Sequence, residues 1–188
     1  MDKIPIEVSA RHVHLSQNDL EILFGKGYEL KKLKQLTQPS DFCAEEVLVI
    51  KSKDKKIANV RVIGPVREKT QAEISMTDAV FLELNPPLRL SGDLEGSSGI
   101  ILEGPEGEVE LKEGLIIARR HIHCSPEEAK EAKINHGQIV SVEVQGERAL
   151  IFQCVEVRVK DDYKLCMHID TDEGNAAGIN KKAEGQIL

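Results

Sequence analysis

Apolar and polar positions alternate with period two over short runs, and turn residues close each run. Glu46–Lys51 and Ile57–Ile63 flank the polar turn Ser52-Lys-Asp-Lys-Lys56. Ile100–Glu103 and Glu108–Lys112 flank Gly104-Pro-Glu-Gly107, and Ile139–Gln145 and Arg148–Val159 flank the tight Gly146-Glu147 turn. Such runs predict strands joined as hairpins. Many short strands with closely spaced turns predict a mainly β fold built as barrels or sandwiches.

The pattern also repeats. Ser9-Ala-Arg-His-Val-His-Leu-Ser16 matches Ala118-Arg-Arg-His-Ile-His-Cys-Ser125 at a constant offset of 109. Each copy ends in a helix start. Ser16 and Ser125 serve as N-caps with Asp19 and Glu128 three residues on, and Pro126 stands at the first helical position. Each copy thus reads as strand, His-x-His, then a short capped helix, and the two imply two similar small β domains. The seam is expected near Lys112–Ile117. Ser91–Gly99, rich in Gly and Ser, reads as a loop long enough to be functional.

Composition narrows the function. The 188 residues carry 25 Lys+Arg against 32 Asp+Glu, a formal charge of −7. A protein that neutralises nucleic-acid phosphates needs the opposite balance. Four Phe, two Tyr and no Trp leave little for base stacking. No apolar run reaches the roughly 18–20 residues that span a bilayer. The start, MDKIPIEVSA, lacks the apolar core of a signal peptide, so a cytoplasmic location is expected. Cys43, Cys124, Cys154 and Cys166 lie scattered without a Cys-x-x-Cys. All four read as free thiols serving as small buried hydrophobes.

Four of the six histidines sit in the two His-x-His pairs. On a strand, residues i and i+2 project from one face roughly 6.5–7 Å apart at Cα, a spacing that suits two imidazoles converging on one metal. A single such pair is weak evidence. Two copies at matching positions of a repeat are not explained by strand packing. The repeat also sets Glu73-Ile-Ser-Met-Thr-Asp78 against His168-Ile-Asp-Thr-Asp-Glu173. The candidate ligand sets are therefore His12, His14 and Glu73 in one half, and His121, His123 and His168 in the other. Two-His-one-carboxylate and three-His sets with an open position are those of catalytic zinc. His136 reads as a residue capping the end of a helix. Arg67 lies six residues before Glu73. Its planar fork suits phosphate or carboxylate. Arg11 and Arg120 precede their His pairs and read as structural. Asp172, Glu173, Gly174 and Asn175 read as a polar turn.

Five pieces together carry a family resemblance: Val8-Ser-Ala-Arg-His-Val-His-Leu-Ser16, Gly64-Pro-Val-Arg-Glu-Lys-Thr-Gln-Ala-Glu73, Leu90-Ser-Gly92 through Gly96-Ser-Ser-Gly99, Ala118-Arg-Arg-His-Ile-His123 and Met167-His-Ile-Asp170. This ordered set resembles the PduL-type phosphate acyltransferases, also called phosphate propanoyltransferases. The resemblance implies a reversible exchange in which acyl-CoA and phosphate give acyl phosphate and CoA, with acetyl or propanoyl as the acyl group. It implies two β-barrel domains with the site between them, over 11–117 and 118–188, the second completed by strand 1–10. It implies two zinc ions per chain, held by His12, His14, Glu73 and by His121, His123, His168. Arg67 matches the phosphate-binding arginine, and Ser91 and Asn175 match positions that line the site. A homodimer is usual there. Members that enter bacterial microcompartments often carry an amphipathic helix before the first motif; here about ten residues precede His12 and read as a strand, which weighs against encapsulation by that route.

Two other classes stay open on the residues alone. A mononuclear non-haem iron oxygenase would use His12, His14 and Glu73 as a facial triad. Its cupin version places the carboxylate close to the His pair, whereas Glu73 is 59 residues beyond His14. It also leaves the second His-x-His without a purpose. A metal-binding scaffold without catalysis is the other.

Overall fold

A computed structural model describes residues 3–188. The first repeat runs β1 (Ile4–Val8), β2 (His12–His14), α1 (Gln17–Phe24), β3 (Lys32–Gln35), β4 (Phe42–Ser52), β5 (Lys55–Gly64), β6 (Gln71–Ile74), α2 (Met76–Phe81), β7 (Leu88–Arg89) and β8 (Ser98–Glu103). The second runs β9 (Glu108–Ala118), β10 (His121–Cys124), α3 (Pro126–Ala132), β11 (Ile139–Val144), β12 (Leu150–Val159), β13 (Cys166–Ile169), α4 (Thr171–Ala177) and β14 (Lys182–Ile187). The fold is mainly β, as the alternation predicts. No helix among the described residues is long and apolar enough to cross a membrane.

The strands close into two six-stranded barrels. One has the order β1-β13-β10-β12-β11-β14. The other has β4-β5-β2-β6-β9-β8, with β8 pairing back to β4 and with β3 and β7 appended at β4 and β9. The pairings match strand for strand. Each His-x-His strand runs parallel to the second strand of a hairpin (β5 or β12) and antiparallel to the strand of the third candidate ligand (β6 or β13).

The first strand of each repeat does not join the barrel that the rest of its repeat builds. β1 runs parallel to β13 and antiparallel to β14. β9 runs parallel to β6 and antiparallel to β8. Each barrel is thus closed by the leading strand of the other repeat. Two compact units result: residues 1–10, 37–40 and 119–188, and residues 11–36 and 41–118. β9 runs unbroken through Lys112–Ile117, where the sequence suggested a seam, and the units divide between Ala118 and Arg119.

Alternation along each strand sorts the core from the site. In the N-terminal-strand unit Ile4, Ile6, Ile122, Cys124, Met167 and Ile169 point into the barrel. In the other unit Val13, Leu15, Ala72, Ile74, Leu115 and Ile117 do so. The intervening residues therefore face outward: Glu7, His121, His123, Cys166 and His168 on one barrel, and His12, His14, Gln71, Glu73 and Ile116 on the other. Gly185 lets β14 come close to β1, since a Cβ there would lie 2.7 Å from Ile6 Cδ1 and 2.6 Å from Val142 Cγ1.

Among the described residues four helices form, rather than only the two that follow the His-x-His strands. The additional pair, α2 and α4, follow β6 and β13. Each opens with a capping box, Ser75 with Asp78 and Asp170 with Glu173. The turn expected at Asp172–Asn175 is therefore the first part of α4. Gly174, a poor helix former, is demanded by packing: a Cβ would meet Val8 Cγ2 at 2.8 Å.

Candidate metal and anion site

In the unit of residues 11–36 and 41–118, β2 and β6 set His12 opposite Glu73 and His14 opposite Gln71. The donor atoms of His12, His14 and Glu73 lie within 4.8 Å of one another. His12 Nε2 is 3.5 Å from Glu73 Oε2. The His14 ring meets the Ile63 carbonyl through Nδ1 at 3.0 Å. A carbonyl only accepts, so Nδ1 carries the proton and Nε2 keeps its lone pair. Burial above all, with His12 and Arg67 adding to it, pushes His14 well below the ordinary imidazole range. The ring is neutral at pH 7 and competent as a ligand. Two imidazoles and one carboxylate fit a borderline divalent ion such as zinc.

Arg67 stands beside this set. Its backbone N–H donates to the Leu15 carbonyl at 2.8 Å, so the chain leaving β5 continues parallel to the chain leaving β2. Arg67 Nη1 donates to Ser91 Oγ at 3.1 Å, and Nη2 is 3.8 Å from Asp41 Oδ2. Ser91 and Gly92 follow β7. Gly92 has φ +97°, a region that favours glycine. The structure thus brings together His12, His14, Glu73, Arg67 and Ser91 in one unit. Gln71, which the sequence reading missed, lies among them. It is two residues before Glu73 on the same strand, so its outward face follows from period two alone.

The other unit carries the second set. β10 and β13 place His121 opposite His168 and His123 opposite Cys166. The ring centroids lie 4.5 Å apart for His121 and His123, 5.4 Å for His121 and His168, and 5.2 Å for His123 and His168. His121 Nδ1 donates to the Arg119 carbonyl at 2.8 Å, which makes Nε2 the unprotonated nitrogen of the neutral ring. Three gathered imidazoles again suit zinc. A second donor group, Glu7, Cys166 and His168, also closes within 4.8 Å. Glu7 is held by Lys182 and accepts from Thr37 Oγ1 at 2.6 Å. Cys166 is pushed by burial up to about 12, so its thiol is protonated at neutral pH. The Tyr163 ring packs on His123 at 3.9 Å between centroids.

Arg11 and Arg120 have matching jobs. Arg11 Nη2 meets Asp78 Oδ1 at 2.6 Å and its Nε meets Oδ2 at 2.8 Å, while Arg120 Nη1 meets Glu173 Oε1 at 2.9 Å. Each arginine just before a His-x-His strand is tied to the capping acid of the helix that follows the third candidate ligand. Asn175 lies exposed on α4, and its carbonyl accepts from Gly178 N–H at 3.3 Å.

His136 is not a helix cap: Lys133 in the left-handed conformation ends α3, and His136 Nδ1 accepts from the Val159 N–H at 3.1 Å. Cys154 is exposed, unlike Cys43, Cys124 and Cys166. It has φ +56° in β12 where the pairing with β11 shifts register, so a bulge turns it out of the alternation.

Residues 5–180 match the phosphate propanoyltransferase family. The chain is 51% identical over 178 residues to a phosphate propanoyltransferase of Thermotoga maritima, covering 94% of this chain and 85% of that protein. It is 49% identical over 185 residues to one of Lachnoclostridium phytofermentans, covering 98% and 85%. It is 48% identical over 178 residues to one of Salmonella typhimurium, covering 94% and 84%. A match of this extent, with both histidine pairs in register against their third partners, makes the chain a member of the phosphate propanoyltransferase family and an acyltransferase.

Proposed function

We propose that this acyltransferase moves a short acyl group, acetyl or propanoyl, reversibly between coenzyme A and inorganic phosphate, with two zinc ions per chain. One observation carries the reading: an arginine–serine pair beside a histidine–carboxylate set, Arg67 and Ser91 next to His12, His14 and Glu73. His12, His14 and Glu73 would hold one zinc, and His121, His123 and His168 the other. Bound zinc supplies Lewis acidity toward a carbonyl or phosphate oxygen and affinity for a thiolate.

The rest falls to the chain's own groups. Arg67 binds phosphate with its planar fork and offsets part of its charge. Ser91 donates a hydrogen bond to it. A phosphate oxygen then attacks the thioester carbonyl carbon; the C–O bond forms, the C–S bond breaks, and coenzyme A leaves as its thiolate. No protein nucleophile is needed. Burial holds Cys124 up at about 11 and Cys166 at about 12, so neither supplies a thiolate at neutral pH. A mononuclear iron oxygenase is not favoured, because it gives no role to the second histidine group.

The test follows thiol release from acetyl-CoA and propanoyl-CoA with phosphate, on protein whose zinc has been counted. Phosphate-dependent release with about two zinc per chain is expected. Arg67→Ala should lower kcat/KM by about 10²–10³-fold with the zinc count unchanged. Release that does not depend on phosphate defeats the assignment.

A further inference from the structure

Gln71 lies opposite His14 in β6, is 1% exposed, and has every polar atom of its side chain engaged. Its Oε1 accepts from the Gly92 N–H at 2.8 Å. Its Nε2 donates to Ser91 Oγ at 2.9 Å and to Glu73 Oε1 at 2.5 Å. The Gly92 bond settles which end of the amide is which, since a backbone N–H only donates. The nitrogen must face Ser91 and Glu73.

The consequence falls on Ser91. Its oxygen receives one bond from Gln71 Nε2 and a second from Arg67 Nη1 at 3.1 Å. A hydroxyl oxygen has two lone pairs, and both are taken. Its single proton must go to a third group. Next to a guanidinium, the acceptor that fits is an anionic oxygen. Gln71 acts on Glu73 as well: with Oε1 bound to the amide, Oε2 is the oxygen that faces His12, at 3.5 Å.

We propose that Gln71 is the positioning residue of the phosphate subsite: it compels Ser91 to act as a hydrogen-bond donor to phosphate, while the same amide engages Glu73 Oε1 and leaves Oε2 as the oxygen toward His12. The inference rests on the acyl-transfer reading above and adds to it the residue that joins the two halves of the site. A reversed amide would turn the Ser91 proton inward and set two acceptors against each other.

Steady-state kinetics with phosphate and acyl-CoA varied separately tests this on the full zinc-loaded chain. Gln71→Leu, close in size and without polar atoms, should raise KM for phosphate by about tenfold or more, because the Ser91 hydroxyl is no longer held with its proton toward the charged phosphate oxygen. KM for acyl-CoA should stay within about twofold, a split that general loosening of the fold would not produce. Ser91→Ala should give a similar rise, and the double variant should add less than about twofold to Ser91→Ala alone, since both act through one hydroxyl. Gln71→Glu is isosteric and serves where the leucine variant does not fold. Its carboxylate accepts the Ser91 proton, so KM for phosphate should again rise by about tenfold. A folded Gln71 variant with unchanged KM for phosphate, or multiplying effects in the double variant, would overturn the proposal. Failure of the wild-type chain to turn over with phosphate would instead defeat the reading beneath it, and the proposal with it.

Discussion

At the residue scale, burial and hydrogen bonding set the chemical state of each side chain before any ligand arrives. His14 is kept neutral by burial and is oriented by Ile63. His121 is oriented in the same way by the Arg119 carbonyl. A metal ligand whose other nitrogen donates to a carbonyl has both its tautomer and its ring angle set. The cysteines fare differently. Burial raises Cys124 to about 11 and Cys166 to about 12, so each stays a thiol throughout the neutral range and begins to ionise only in strong alkali. Cys154 is exposed. Alkylation of the native protein at pH 8, followed by peptide mass analysis, should mark Cys154 and spare Cys43, Cys124 and Cys166 until the chain is unfolded. Rapid native labelling of Cys166 would contradict its assignment as an inert buried thiol.

At the element scale, the recurring device is a brace. A strand carries the third candidate ligand, a capped helix follows it, and the helix's capping acid grips an arginine just before the His-x-His strand. Arg11 with Asp78 and Arg120 with Glu173 are the two instances. The brace ties two strands that must stay in register for their side chains to meet. Burial pushes the Glu173 carboxyl up from its ordinary range, while the Asp170 backbone N–H and Arg120 pull it back. Asp78 is 4% exposed and also accepts from the Ser75 N–H at 3.3 Å. Asp78→Ala should therefore cost about 1–2 kcal/mol, the worth of a helix cap and its partner, read from urea unfolding. An unchanged midpoint would show that the brace carries no stability.

At the scale of the whole molecule, the crossing of leading strands ties the two ends of the chain together. Residues Ile4–Val8 complete a barrel whose other strands all lie beyond residue 120. Such contacts gain nothing until a long loop has closed, which favours slow, non-local assembly. Ile6 is fully buried in that barrel. Ile6→Ala should cost about 2–5 kcal/mol, depending on how far the cavity collapses. Hydrogen exchange should show lost protection in β13 and β14, the strands that pair with β1. Loss confined to β2 would contradict the pairing.

Much of this was legible in the chain itself. Period-two alternation located the hairpins, because one buried face imposes that spacing on any strand. The repeat of the Arg-His-x-His motif identified the histidine pairs. The likeness of Glu73–Asp78 to His168–Glu173 aligned the third partners. Each of these is local, and a strand shows its outward residues in the sequence. Register, closure and side-chain wiring are not local. The pairing of His12 with Glu73 and of His121 with His168 required two distant strands to settle beside one another. The bulge that exposes Cys154 and the close contact that demands Gly174 arose from neighbours that the sequence does not place side by side. The two hydrogen bonds that Ser91 accepts from Gln71 and Arg67 exist only because the chain after β7 returns to β6. Hydrogen-bond geometry depends on tenths of an ångström between such segments, and only the folded chain decides it.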